Sequence, residues 1–278
     1  MMKSIRNKVL PHVILAIASA VAIYPVAWVL KIALSPVGGM DSNPNPIPDA
    51  VTLEHFFSLT AQGEGASFGV QFFNSLLVAG ATTAISILVS CSAAYGFSRL
   101  RFPGREVGLM GLMLTQIFPG VVMMVPLYII LDNLGLLNSH VGLALVYCTT
   151  AIPFCTWTLK GYLDTVPREL EEAAVMDGAN RWIIFSRIVL PLAKPAIAVT
   201  ALFSFMTAWN EFVLAATLLN DERLFTLPVA LQRYVGEYQT DWGTFAAGAI
   251  ITSLPVMALF YALQKNLVGG LTAGAVKG

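Results

Sequence analysis

Charge is scarce in this chain. Of its 278 residues only 12% are Asp, Glu, Lys or Arg, against 56% hydrophobic, and mean hydropathy is +0.73. That balance lies outside the range of soluble domains, because a core surrounded by water cannot bury so much apolar surface. Cysteine is nearly missing. Cys91, Cys148 and Cys155 sit inside apolar runs without metal-ligand spacing, so a metal site is not expected and they read as small buried hydrophobes. His12, His55 and His140 are scattered and H-E-x-x-H does not occur, so no catalytic residues are expected. The phosphate loop G-x-x-x-x-G-K-[ST] is also absent, so the chain itself is expected to hold no cofactor, and any ATP with its Mg would be bound by a separate chain.

What is present is a series of apolar runs, each long enough to cross about 30 Å of hydrocarbon as a helix. They fall at about 11–33, 70–98, 107–131, 140–160, 195–219 and 243–264. Backbone polar groups in lipid must be paired within their own segment, so the runs predict helices rather than strands. The expected fold is all-α: one transmembrane domain, 1–278, of six transmembrane helices in contact with membrane lipid. Nothing points to nucleic acid.

An even number of spans puts both termini on one side. Lys3, Arg6, Lys8, Arg99, Arg101, Arg105, Lys160, Arg168, Arg181, Arg187, Lys194, Lys265 and Lys277 share one face, against Lys31, Arg223 and Arg233 on the other. Thirteen against three makes the richer face, with both termini, cytoplasmic. The first run is too long for a secretory signal and lacks a suitable cleavage site, so it reads as a retained helix.

The outer loop from Ser35 to Gly69 is rich in Pro and Gly and breaks helix, save for a short helix near Leu53–Leu59. The inner loop, 161–194, is too long for a simple connector. Pro167 suits a helix start, Glu169, Glu171 and Glu172 favour the dipole of a helix running to Asp177, and Gly178 ends it. Asn180 then caps a second helix with Trp182, Phe185, Ser186 and Val189 on one stripe, stopped by Pro191. Ala173 and Ala174 allow a partner's backbone to approach, while Glu172 offers a carboxylate to an arginine. A docking surface and a merely solvated acidic face remain even alternatives here.

Within the spans, Glu211 is the sole acid and a functional candidate by default. Its place near the outer end of its helix favours a structural or gating role over substrate contact. Pro119 and Pro126, with Gly120, interrupt the third run, which makes either a gate or a packed bend. Gln116 and Asn210 complete the pathway or gate candidates.

The segment Glu172-Ala173-Ala174, Gly178, Ile188, Leu190-Pro191 resembles, in residues and spacing, the EAA loop of binding-protein-dependent ABC transporter permeases. Asn74-Ser75, Trp209-Asn210-Glu211-Phe212 and the ending Gly270 to Gly278 are similar to the smaller permease subunit of maltose-type sugar importers. The resemblance implies the type I ABC importer permease fold in a bacterial cytoplasmic (inner) membrane. It implies as partners a second permease in a heterodimer, two copies of an ABC ATPase and an extracytoplasmic sugar-binding protein. It assigns ATPase coupling to Glu172, Ala173, Ala174, Asp177, Gly178, Asn180, Ile188, Leu190 and Pro191. Contact with the binding protein falls to Gly236, Glu237, Tyr238, Gln239, Thr240 and Asp241, and ATPase contact also to the tail 265–278. The implied cargo is maltose, maltodextrin or a related oligosaccharide, with the sugar site in the other permease. The alternatives are another solute of the same importer family, or an ion-coupled secondary transporter, which would need an internal repeat and several buried acids.

Overall fold

The computed structural model describes residues 2–36, 45–60, 67–235 and 240–275. Its helices are α1 (Met2–Leu34), α2 (Glu54–Thr60), α3 (Phe68–Arg99), α4 (Arg105–Leu114), α5 (Gly120–Asn133) and α6 (His140–Thr165). They continue as α7 (Glu169–Met176), α8 (Arg181–Ile184), α9 (Leu190–Leu192), α10 (Lys194–Trp209), α11 (Val213–Leu218), α12 (Leu227–Leu231) and α13 (Trp242–Ala275). Among the described residues there is no strand, only an isolated antiparallel bridge between Val235 and Thr240.

The all-α expectation holds, but the count of six spans is only approximate. Among the described residues four helices are long and apolar enough to cross a membrane: Leu10–Leu34, Phe68–Arg99, His140–Thr165 and Trp242–Asn266. The bent pair Arg181–Leu192 and Lys194–Trp209, meeting at 75°, raises the number to five at most. The third apolar run is shared between α4 and α5, each too short at 10 and 14 residues. Pro119, which precedes α5, lacks an N–H to continue the ladder and keeps Phe118 from helical geometry. At its other end the chain is more helical than expected. At 34 residues and 1.5 Å each, α13 is about 50 Å long, so the tail up to Ala275 continues the last helix; 276–278 lie outside the described residues.

Two compact units divide the chain. The first comprises 1–69 and 230–254. In it the turn after α1 is stitched by Thr52 N–H to Leu34 O (2.7 Å) and by His55 Nε2 against Ser35 O (3.0 Å). Asp241 Oδ1 accepts Thr244 N–H at 3.0 Å and so caps α13, and His55 Nδ1 lies 3.8 Å from the same oxygen. Gly243 is required by that packing, because a Cβ there would run into the His55 ring.

The second unit comprises 70–229 and 255–278, with α6 at its centre. Small residues let helices approach α6 closely: Ser86 Oγ donates to Cys148 Sγ at 3.6 Å, and Cys155 Sγ to Thr200 O at 3.6 Å. All three cysteines are free and buried, as their apolar surroundings predict. At the start of α6, Ser139 Oγ accepts Gly142 N–H at 3.0 Å, and Leu136 O stands where a Gly142 Cβ would be. Gly142→Val is therefore expected to lower stability by about 1–3 kcal/mol through overpacking, measured as an earlier thermal unfolding transition in detergent.

Candidate functional site

The segment between α6 and α10 is a helical hairpin whose geometry follows from its own residues. α7 opens with Glu169, Glu171 and Glu172 in its first turn, where carboxylates offset the positive end of the helix dipole. It closes in a left-handed glycine: Gly178 has φ 84°, Ala179 N–H bonds to Ala174 O at 2.9 Å and Gly178 N–H to Val175 O at 3.0 Å. These paired bonds cap the carbonyl end. Two residues on, Asn180 Oδ1 accepts Ile183 N–H at 2.9 Å and starts the second helix.

That second helix differs from its expected form in two ways. Its inward stripe is Ile184 and Val189, with Phe185 and Ile188 half-buried, whereas Trp182 is 70% exposed. Phe185–Val189 is a π-helical turn, with Leu190 N–H reaching back to Phe185 O. This extra residue in the turn shifts the facing of the chain by one position and so swings Trp182 off the packed stripe. Nor does Pro191 end the helix. The stop comes at Ala193, where the chain bends by 75° into α10, because a proline in a helix disturbs the turn before it rather than the residue after.

The sequence-predicted hairpin residues divide by burial. Glu172, Ala173, Asp177, Gly178, Asn180 and Pro191 are exposed, whereas Ile188 and Leu190 are half-buried. Ala174 is turned into the core, 8% exposed, against Leu163, Ile184 and Val189. Its small size serves internal packing.

Neighbouring acids of α7 have opposite environments. Glu171 faces inward, its Oε1 accepting Arg99 Nε–H at 2.5 Å, with Tyr95 OH 3.5 Å from Oε2. Arg99 also donates from Nη2 to Val166 O at 3.0 Å, and Arg168 Nη2 donates to Ser98 O at 3.1 Å. Ser98 Oγ donates to Asp164 Oδ1 at 2.7 Å, and Lys160 Nζ bridges to Asp164 Oδ2 at 2.7 Å. Sequence reasoning missed Arg99, Glu171 and Arg168 as a group, since opposite charges some 70 positions apart carry no local signal.

The pathway candidates fall at two places in the second unit. Gln116 and Gly120 line a cavity of about 670 Å³ at the break between α4 and α5, with Thr115, Thr149, Thr150 and Met123. Pro119 caps α5 beside them. Asn210 and Glu211 instead border a smaller cavity of about 350 Å³ with Phe203, Met206 and Thr207, at the break between α10 and α11. Asn210 Nδ2 donates to Met206 O at 2.9 Å. Glu211 Oε1 accepts Leu214 N–H at 2.9 Å, and Oε2 accepts Ala215 N–H at 3.1 Å and Tyr147 O–H at 2.8 Å. Its carboxylate thus occupies the first-turn amides of α11, which the helix itself leaves unpaired.

In the first unit, Gly236, Glu237, Tyr238 and Gln239 lie outside the described residues. Their flanks converge, since Thr240 bridges to Val235 and Asp241 N–H donates to Tyr234 O at 3.0 Å. Burial, and then the Asp241 carboxylate, push the Tyr234 phenol above its ordinary pKa, against the lowering pull of Arg233.

Known proteins resemble this chain along most of its length. The profile of the family described as "Binding-protein-dependent transport system inner membrane component" matches residues 86–272. The chain is 36% identical over 279 residues to the diacetylchitobiose uptake system permease protein DasC of Streptomyces coelicolor, covering 100% of both. It is 38% identical over 268 residues to the galactooligosaccharides transport system permease protein GanQ of Bacillus subtilis, covering 96% of this chain and 94% of that one. It is 36% identical over 284 residues to the maltose/maltodextrin transport system permease protein MalG of Escherichia coli K12, covering 96% and 95%. Among solved structures it is similar in fold to a chain of a bacterial ABC transporter involved in the import of the acidic polysaccharide alginate. The TM-score is 0.79 at 22% identity, over 95% of this chain and 98% of that one. The chain belongs to the inner membrane components of binding-protein-dependent transport systems, as a sugar-permease subunit of an ABC importer.

Proposed function

We propose that the chain passes the motion of a separate ATPase to the sugar pathway through its Glu169–Leu192 hairpin. The observation that carries this reading is the hairpin's division of labour. Ile184, Val189 and Ala174 anchor it on the helix core, while Glu172 and Ala173 stay exposed, a small surface beside a carboxylate suited to an arginine of a partner. In this reading the hairpin and both termini are cytoplasmic, consistent with the thirteen basic residues on that face. Two ATPase copies bind ATP and Mg, and a second permease completes a heterodimer. The extracytoplasmic sugar-binding protein meets the chain at 236–241, and the tail after Lys265 contacts the ATPases.

The cycle is alternating access. ATP binding closes the ATPase pair, the hairpins follow, and the helices shift between inward and outward states, each favoured by its own ligand. The cargo in this reading is a maltose- or maltodextrin-like oligosaccharide. A second reading, another oligosaccharide, is favoured by the relatives named for diacetylchitobiose and galactooligosaccharides.

Gentle purification of the tagged chain should recover an ATPase and a sugar-binding protein. Glu172→Ala should weaken retention of the ATPase by roughly tenfold, the loss of one charge-assisted contact of about 1.5 kcal/mol. Wild-type retention together with wild-type uptake would remove Glu172 from the docking surface. Calorimetry of the recovered binding protein against maltodextrins, chitobiose and galactooligosaccharides then distinguishes the cargoes.

A further inference from the structure

The hairpin is joined through the chain to α6 on one side and to α10 on the other, but α3 has no such link. α3 ends at Arg99, 72 positions before Glu171. Even so, the last turn of α3 is gripped from both directions. Arg99 reaches out of α3 to the Glu171 carboxylate and to the Val166 carbonyl, and Arg168 reaches back from the hairpin to the Ser98 carbonyl. One turn earlier, the Tyr95 ring lies 5.1 Å from that of Phe185 in the second hairpin helix. The Arg99 and Glu171 side chains are only 6% and 13% exposed, so water does not screen the pair as it would a surface bridge.

We propose that Arg99 and Glu171 are a positioning pair that makes α3 a third helix moved by the hairpin. This rests on the coupling reading above and gives the adjacent acids different roles. Glu172 meets the partner, and Glu171 ties the hairpin to α3. A guanidinium that gives Nε–H to the carboxylate and Nη2–H to a loop carbonyl resists sliding as well as separation, because its donors lie in one rigid plane. A push on α7 therefore reaches α3 without passing through the bends at Pro167 and Ala193.

The test uses the full complex in lipid vesicles, with uptake and ATP hydrolysis measured together. Glu171→Gln and Arg99→Gln should retain the ATPase as wild type does, yet lower sugar taken up per ATP hydrolysed by about fivefold, within the range of single coupling contacts. Arg99→Lys, which keeps the charge, should retain more of the ratio than Arg99→Gln. A direct readout comes from spin labels on Leu100→Cys and Met176→Cys, two exposed positions, the native cysteines being buried. Their distance distribution should stay narrow in nucleotide-free and ATP-trapped complexes, and broaden in Glu171→Gln. Unchanged coupling in Glu171→Gln, an unchanged distribution, or loss of the ATPase on Glu171→Gln would each overturn the proposal. Glu172→Ala, run in parallel, tests the coupling reading separately: if it retains the ATPase and transports normally, that reading fails whatever the Glu171 variants do.

Discussion

Gly178→Pro is expected to abolish uptake while leaving the chain in the membrane. Gly178 has φ 84°, and proline is held near −65°, so the hairpin turn cannot form with proline in place. The substitution also removes the N–H that bonds to Val175 O at 3.0 Å. Together these cost the turn about 3 kcal/mol or more, which exceeds what a two-turn helix of eight residues can recover by local adjustment. Without the turn, α7 and α8 lose their relative direction, and the exposed Glu172 surface no longer stands beside the anchored Ile184 and Val189. The apolar spans are untouched, so membrane content by immunoblot should match wild type while vesicle uptake falls to background. Gly178→Asn is the informative control, because asparagine visits left-handed geometry at modest cost; it should retain most uptake. Wild-type uptake in Gly178→Pro would show that the hairpin's shape is not used in transport.

Glu211→Leu is expected to have the second largest effect, and for a different reason. Two backbone amides and one phenol converge on this carboxylate. Leucine has a similar volume and no acceptor, so it leaves the Leu214 and Ala215 amides and the Tyr147 hydroxyl unpaired. Each orphaned buried donor costs about 1–3 kcal/mol, so a combined loss of about 3–5 kcal/mol is expected in thermal unfolding of the purified protein. Glu211→Gln keeps one acceptor oxygen and should fall midway. Tyr147→Phe removes a single bond and should cost about 1 kcal/mol. If Glu211→Leu unfolds like wild type but fails to transport, the carboxylate acts on the cargo or the gate instead of holding α11.

These two sites mark how far sequence alone could reach. Gly178 and Asn180 were legible because a left-handed glycine and a side-chain cap act on residues within five positions of themselves. The long apolar runs were legible for a similar reason: crossing a bilayer is a property of one contiguous segment. Their interruptions were read less well. Pro119 pointed to a break in the third run, but the gap at Asn210–Phe212 carries no proline or glycine; there Glu211, itself in the gap, accepts the first-turn amides of α11. In the second hairpin helix, periodicity put Trp182 on the packed stripe, and a π turn moved it off. No sequence period announces a π turn, since it answers to the packing around it.

The sequence by itself determined that this chain is helical, that it is built for lipid, and that two short helices meeting at Gly178 form a charged hairpin between its apolar runs. Each of these follows from hydropathy, charge or hydrogen bonds among neighbours in the chain. Only the tertiary structure decided that Glu171 belongs to Arg99, 72 residues away, and that Glu211 belongs to Tyr147, 64 residues away. The physical reason is that an ionised group in an apolar surround takes whichever donor the packing brings within reach. That choice is made when α3, α6 and α10 come together.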